Sequence, residues 1–550
     1  MNAKKYIQDK VAKVLQELDL EWPEKASVEP PKDRKFGDMA CNAAMILSRQ
    51  ARQNPRKLAE AIRELVLKDA AEIESIDIAG PGFLNFTFKK HFWLDIIQDI
   101  EEKKESFGAS DDGQQTRVQI EYVSANPTGP LHIGHGRGAA VGDSLARIMR
   151  AAGYEVSTEY YLNDAGRQMN VLGKSTWIRY QNLCGMETLL GDDHYQGEYL
   201  TEIAALIHKE NGPGLLQMNE DDAVDYCRKY AMENILKGIK HDLACFGVEH
   251  QVWFSESSLI AENSVDDTMN WLLKKGMAYL KDGALWFKST ELGDDKDRVL
   301  KKSDSSLTYF ASDIAYHKNK FDRGFDLVVD IWGADHHGYV PRMKAAVQAL
   351  GRSSDSLEVI LVQLVNLLRE GHQVAMSTRA GEFITLKDVI NEVGTDACRF
   401  IFLSRKSDSH LDFDLEIVKR KSMDNPVYYV QYAHARICSL FSKAGEKGIT
   451  LSKEPPSLEL LSTPQDIDLL KKMADYPDII ASSARNLSPH HLSFYLMELA
   501  GCLHRYYTVH QVLAADSIKL TQARMVLFQA VGQVLKNGLN LLGVSAPERM

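Results

Sequence analysis

Two histidines three residues apart, His132 and His135, stand inside QIEYVSANPTGPLHIGHGRGAAVGD (119–143), interleaved with Gly134 and Gly136. Imidazole can donate or exchange a proton near neutral pH. Glycine removes the Cβ bulk that would keep a flat ring or a phosphate away from the backbone. The content of 118–124 predicts a buried strand, Pro127, Gly129 and Pro130 break the chain, and 139–151 has helical spacing. In such a strand, turn and helix, the unpaired N–H groups of the helix start face outward and favour an anion. The arrangement suits a nucleotide. The same residues admit two other readings. A histidine pair at a helix start also serves as a cap or as packed polar side chains. Gly134, Gly136 and Ala139 fit G-x-G-x-x-A, with Glu159 at the spacing of a ribose carboxylate, which would make the chain a nicotinamide oxidoreductase. That pattern is unspecific and explains neither histidine.

Two further clusters carry similar chemistry, Gly333-Ala334-Asp335-His336-His337 and the loop GHQVAMSTRAG (371–381). Gly173-Lys174-Ser175 ends like a P-loop, but the first glycine would have to stand where Gln168 does, which excludes a Walker-type NTPase. For the three clusters to meet, elements far apart in sequence must converge. Strands at 118–124, 154–161, 326–332 and 357–364, alternating with helices, predict a doubly wound parallel sheet that binds ligands at the carboxyl ends of its central strands. A mostly helical excursion at about 166–300, ending in ALWFKSTELG (284–293), reads as an insertion.

Outside this unit, 1–112 reads as a separate α+β domain, with helices at 6–18 and 57–69 and a strand pair at 76–88 around Gly80-Pro81-Gly82; the polar run EEKKESFGASDDGQQT marks its end. Residues 396–550 read as wholly helical, with Tyr428-Tyr429 and Tyr506-Tyr507 as bundle core or as stacking platforms for unpaired bases. The expected fold is therefore multidomain α/β: a Rossmann-like catalytic domain at 113–395 with a helical insertion, an N-terminal α+β domain and a C-terminal all-α bundle. A length of 550 residues fits three or four such units at roughly 150 residues each.

Composition narrows the class. With 44% hydrophobic and 26% charged residues the chain has the make-up of a soluble globular protein. No apolar run approaches the roughly 20 residues needed to cross a bilayer, and the N-terminus reads as an amphipathic helix rather than a signal segment. Both features point to the cytoplasm. Seven dispersed cysteines without C-x-x-C suggest neither a disulfide framework nor a zinc site. The net charge of −11 argues against a nucleic-acid coat protein, yet it resides entirely in 1–400, since 401–550 is slightly basic. A phosphate-bearing partner meets least repulsion there.

His132-Ile133-Gly134-His135 resembles the HIGH signature of class I aminoacyl-tRNA synthetases, and Ala375-Met376-Ser377-Thr378-Arg379 resembles a worn copy of their second signature, KMSKS. EYVSANPTGPLHIGHGRGAAVGD, LNDAGRQM (162–169), TYFASDIAYH (308–317), NPVYYVQYAHAR (425–436) and LLGVSAPERM (541–550) together resemble the arginyl-tRNA synthetases of the bacterial kind, over most of the chain. The resemblance implies a two-step reaction. Arginine attacks the α-phosphate of ATP to give arginyl-adenylate and pyrophosphate, and the 3′-terminal adenosine of tRNA(Arg) then takes the arginyl group, releasing AMP. In this family the first step generally needs bound tRNA. It implies ATP with Mg2+ held mainly by phosphate oxygens, no tightly bound metal, and a monomer.

The resemblance also implies site residues. His132 and His135 would donate to the triphosphate and its transition state, with Pro130, Gly134 and Gly136 in the ATP site and Gly333, Asp335 and His336 at ribose and adenine. Tyr309 and Asp313 would take the guanidinium, a planar five-donor cation that demands carboxylates in a fixed fork, while Glu121, Ser124 and Asn126 would hold the α-amino end. In the second signature both family lysines are missing, at Ala375 and Thr378, and Gly129 stands where some arginyl enzymes carry a replacement lysine. Arg379 is then expected to supply the transition-state charge, with Met376 and Ser377 fixing the loop. Phe36 in the N-terminal domain, and Tyr428, Tyr432, Tyr506 and Tyr507 after the DALR-like Asp396-Ala397-Cys398-Arg399, are the implied tRNA contacts. A catalytically dead tRNA-binding paralogue is the rival reading.

Overall fold

The computed structural model describes residues 2–31, 33–374, 384–452, 455–513 and 517–550. At its centre lies a five-stranded, all-parallel sheet in the spatial order Leu357–Val362, Leu327–Gly333, Arg117–Glu121, Glu155–Leu162, Val252–Ser255. Numbered along the chain, that spatial order is fifth, fourth, first, second and third. The strand order therefore reverses between Arg117–Glu121 and Leu327–Gly333, the position at which doubly wound sheets bind ligands. Val118, Ile120, Val328, Val329 and Tyr160 are fully buried, as strands covered on both faces require.

Two differences from the sequence reading matter for the site. The first strand stops at Glu121 instead of running to 124, because Val123 and Ser124 adopt left-handed φ values of 72° and 41°. A β-branched residue there is strained by about 1–2 kcal/mol, and the strain turns the chain back over the strand end. The edge strand Val252–Ser255 hides inside the stretch read as an insertion. At four residues it is too short to show a period among the helices Arg167–Leu183, Tyr199–Asn211 and Glu220–Cys245 that precede it. A separate three-stranded antiparallel sheet, Ala278–Lys281, Ala284–Phe287 and Arg298–Lys301, follows it.

The helix after the first strand, Ile133–Ala151, is almost wholly buried. Its glycines let neighbours approach. A Cβ at Gly142 would lie 2.3 Å from the Tyr122 ring, and one at Gly136 would lie 2.5 Å from Leu386.

N-terminally, an antiparallel sheet ordered Val28–Glu29, Met39–Cys41, Phe83–Phe88, Ile73–Ala79 packs under the helices Ala3–Glu17, Pro55–Asp69 and Lys90–Lys103. Beyond 395 the chain forms the helices Pro426–Glu446, Pro464–Ala474, Tyr476–Arg485, His490–Val509 and Ile518–Leu541. This stretch is not wholly helical: Leu411–Asp414 pairs in parallel with Val365–Arg369, a four-residue strand whose partner lies far away in sequence. The N-terminal unit rests on this bundle through the Lys471–Asp38 ion pair and the Lys471 ammonium 5.5 Å over Trp93. Among the described residues no helix is long and apolar enough to cross a membrane.

Candidate active site

At the reversal point His132 is the N-cap of Ile133–Ala151, with extended φ and ψ of −97° and 170°. Its Nδ1 accepts from Gly134 N at 3.1 Å, and its own backbone N–H donates to His135 Nδ1 at 3.2 Å. The rings stack with centroids 3.7 Å apart. An Nδ1 that accepts carries no proton, so both rings are neutral and hold their hydrogen on Nε2, across the ring from the helix. Burial depresses both pKa values, that of His135 to about 3 with His132 adding to the effect. Capping and function thus share one geometry: the cap fixes the tautomer and leaves two N–H donors side by side. A Cβ at Gly134 would stand 3.0 Å from the His132 ring, so glycine there makes room for the imidazole, while Gly136 is buried against Leu386 and Phe402 and serves packing. Pro130 is half-buried on the same turn.

Across the reversal, Gly333 ends its strand and leads into the short helical turn Ala334–Tyr339. Asp335 and His336 are exposed and 3.7 Å apart. A Cβ on Gly333 would fall 2.5 Å from the Asp335 carboxylate. Of the second-signature loop, Ala375, Met376, Ser377, Thr378 and Arg379 lie outside the described residues. Its flanks are described: Val374 N donates to Leu367 O at 2.9 Å, and Thr385 bridges His132.

Beside this turn is a cluster of acidic side chains among aromatic rings. Tyr309 and Asp313 share the helix Tyr309–Asp322; Tyr309 is 77% exposed, whereas Asp313 is half-buried and accepts from the Tyr339 hydroxyl. Burial holds the Asp313 carboxyl above its usual range. Glu256, buried at the start of the helix Glu256–Ala261, is pushed up to about 7 by burial, then by the charges of Asp313 and Asp164. Tyr161 feels Glu256, Asp313, Glu121 and Asp164 together, and its ring lies 4.5 Å from Tyr316. Among the described residues no lysine or arginine pairs with Glu256 or Asp313. Carboxylates held this way are stabilised by an incoming cation.

Next to this cluster the left-handed turn brings Ser124 over Glu121. Ser124 Oγ donates to Glu121 Oε1 at 2.9 Å and accepts from Tyr161 N at 3.1 Å. Asn126 is exposed and accepts from Asn163 Nδ2 at 2.7 Å. Glu159, the ribose carboxylate of the dinucleotide reading, is fully buried, with Arg323 bidentate on it at 2.6 and 2.9 Å and the Tyr316 hydroxyl at 2.5 Å. No nucleotide reaches it, and the nicotinamide reading falls.

Sequence reasoning missed Glu256 and Asp164, the latter held by Ser255 Oγ at 2.5 Å and Ser257 N at 2.9 Å. The available signal was Ser255-Glu256-Ser257 directly after the aromatic run Trp253-Phe254, masked because that strand was not recognised.

In the outer domains, Phe36 is 49% exposed with the Lys35 ammonium 4.9 Å over its ring. Tyr428 and Tyr432 are half-buried and stacked at 5.7 Å, and Arg436 lies 4.0 Å over the half-buried Tyr507. Tyr506 has to be removed from the expected contacts: it is fully buried and donates to Asp466 Oδ1 at 2.8 Å, a core residue that no base can stack on.

Comparison with known proteins shows the family. Models of the arginyl tRNA synthetase N terminal domain, the class I (R) tRNA synthetase catalytic domain and the DALR anticodon binding domain match residues 4–88, 97–414 and 430–550. An arginine–tRNA ligase of Nitratidesulfovibrio vulgaris (strain DP4) is 58% identical over 553 residues and one of Oleidesulfovibrio alaskensis 57% over 552, each covering 100% of both chains. The Thermus thermophilus arginyl-tRNA synthetase structure, 21% identical, superposes over 100% of both chains with a TM-score of 0.78 and shares the fold. Matched from end to end, the chain belongs to the class I arginyl-tRNA synthetases, the ligases that activate arginine with ATP and pass it to tRNA(Arg).

Proposed function

We propose that arginine lies between the turn at Glu121, Ser124 and Asn126, which holds its ammonium, and Asp313, Glu256 and Tyr309, which receive its guanidinium. The observation that carries this reading is the pair of carboxylates Asp313 and Glu256, which no lysine or arginine among the described residues neutralises, beside two neutral imidazoles with free Nε2–H groups. ATP lies over Pro130 and Gly134, with ribose and adenine against Gly333, Asp335 and His336. The arginine carboxylate attacks the α-phosphorus, and pyrophosphate departs. His132 and His135 donate to phosphate oxygens as charge accumulates there. Preorganised donors of this kind contribute about 10²–10³ each, and positioning supplies much of the rest. Mg2+ accompanies ATP on the phosphate oxygens.

In the second step the terminal adenosine hydroxyl attacks the arginyl carbonyl, and AMP leaves. Phe36 on the N-terminal domain and Tyr428, Tyr432 and Tyr507 on the C-terminal bundle touch tRNA, the half-buried rings offering faces for unpaired bases. The protein works as a cytoplasmic monomer. Residues 1–112, 113–395 and 396–550 act as tRNA-binding, catalytic and anticodon-binding units.

Arginine-dependent exchange of labelled pyrophosphate into ATP, with and without tRNA and with lysine and citrulline as competitors, tests the reading. Asp313→Asn and Glu256→Gln are expected to raise the arginine KM at least tenfold and to leave that for ATP near the parent value; unchanged arginine KM in both would refute the pocket. Arg379→Ala is expected to slow adenylate formation far more than it weakens arginine binding, and equal effects would remove Arg379 from the transition state.

A further inference from the structure

Beneath the amino-acid pocket runs an unbroken chain of buried polar contacts. Ser124 Oγ donates to Glu121 Oε1 at 2.9 Å, and Glu121 Oε2 accepts from Lys320 Nζ at 2.6 Å. Lys320 also donates to Asp330 Oδ1 at 2.8 Å; Asp330 Oδ2 meets His317 Nε2 at 2.8 Å, and His317 Nδ1 meets the backbone carbonyl of Asp313 at 2.8 Å. Lys320 and Asp330 are fully buried and His317 is 4% exposed. Both ring nitrogens of His317 thus lie within hydrogen-bonding distance of an oxygen. Lys320 lies between the carboxylates of Glu121 and Asp330, and His317 bridges Asp330 to the helix backbone.

Its architecture is specific. Glu121 and Asp330 are register partners on adjacent parallel strands. Asp313, His317 and Lys320 are three and four residues apart on Tyr309–Asp322, hence on one face of that helix. The strand end carries the residues assigned to the ammonium of arginine, and the helix carries those assigned to its guanidinium. Buried ion pairs add little net stability over a well-packed apolar core, but they fix register, because a sliding helix would leave charges unpaired.

We infer that Lys320, Asp330 and His317 set the distance between the two ends of the pocket and so select the chain length of the guanidino acid that is activated. They are positioning residues and touch no substrate. The inference rests on the pocket assignment proposed above. It concerns discrimination between arginine and its homologues with one methylene more or fewer, a difference that a rigid pocket converts to roughly 10–200-fold in kcat/KM.

The test measures pyrophosphate exchange at saturating tRNA with L-arginine, L-homoarginine and L-norarginine, for the full-length parent, Lys320→Met, His317→Gln and Asp313→Asn. In both positioning variants the preference for arginine over at least one homologue is expected to fall fivefold or more, with the ATP KM and the tRNA Kd within twofold of the parent. If kcat/KM for all three amino acids falls by the same factor, the contacts are merely structural and the inference is overturned. Should Lys320→Met fail to fold, His317→Gln, which breaks a single link and strands less charge, gives the same ratio. Asp313→Asn separates the two failures. An unaltered arginine KM there removes Asp313 from the guanidinium end and with it the premise of the inference, whereas a raised KM with unaltered ratios in the positioning variants overturns only the ruler.

Discussion

Each imidazole of the His132–His135 pair caps with one nitrogen and leaves the other free, so the two roles separate by substitution. Asparagine at 132 retains an acceptor for Gly134 N but lacks the outward N–H. His132→Asn is expected to melt close to the parent while its exchange rate drops about 10²-fold; His132→Ala should lose the same activity and a further ~1 kcal/mol of stability with the cap. If both variants were equally unstable and equally slow, the cap alone would explain the pair. Glu256 yields a pH prediction. Its folded pKa is raised to about 7 by burial and by Asp313 and Asp164, so below that pH it is protonated and no longer attracts a guanidinium. Arginine remains charged throughout. The arginine KM should therefore rise as pH falls through about 7, a dependence absent in Glu256→Gln. A raised carboxylate also costs folding stability as pH climbs above its unfolded value. Bound arginine should accordingly raise the melting temperature more at pH 8 than at pH 6.

Among the elements, Ile133–Ala151 shows why a helix rich in glycine survives. Each interior glycine costs roughly 1 kcal/mol relative to alanine, and the return is contact. At Gly142 the Tyr122 ring occupies the space of a Cβ, and Tyr122 is fully buried and cannot move aside. Gly142→Ala is expected to destabilise by about 1–3 kcal/mol through overpacking, measured by chemical denaturation. A stabilising outcome, as propensity alone predicts, would mean that helix and strand can separate. The left-handed Val123–Ser124 turn follows the same logic, local strain accepted where it carries Ser124 to Glu121 and Tyr161 N.

For the whole molecule, Arg399 is the residue that ties separate parts together. Fully buried, it donates to Leu542 O at 2.9 Å, Phe246 O at 3.1 Å and Asp143 Oδ2 at 2.5 Å, thereby joining the C-terminal helix, the helix Glu220–Cys245 and the histidine-bearing helix. Two of those carbonyls follow helix C-termini, where the dipole favours a cation. Breaking a buried pair costs about 3–5 kcal/mol. Asp143 keeps Arg147 at 2.8 Å, so Arg399→Met belongs at the lower end, about 3 kcal/mol. Calorimetry of the full chain should show the first transition lowered and split, as the C-terminal bundle uncouples from the catalytic sheet. A single transition at the parent temperature would deny Arg399 that role.

What the sequence by itself determined is whatever depends on near neighbours. The turn around His132 and His135 is legible because cap, ring stack and glycine all fall within four residues, and the hairpin around Gly80-Pro81-Gly82 is legible for the same reason. Tertiary structure decided the rest, through contacts that no local window contains. Lys320 reaches Glu121 across 199 positions, and Glu256 joins Asp313 only because a four-residue strand completes the sheet. Tyr506 and Tyr507 are identical neighbours in sequence. A step of about 100° around the helix buries one ring against Asp466 and leaves the other half-open under Arg436, and only the packing partner fixes which.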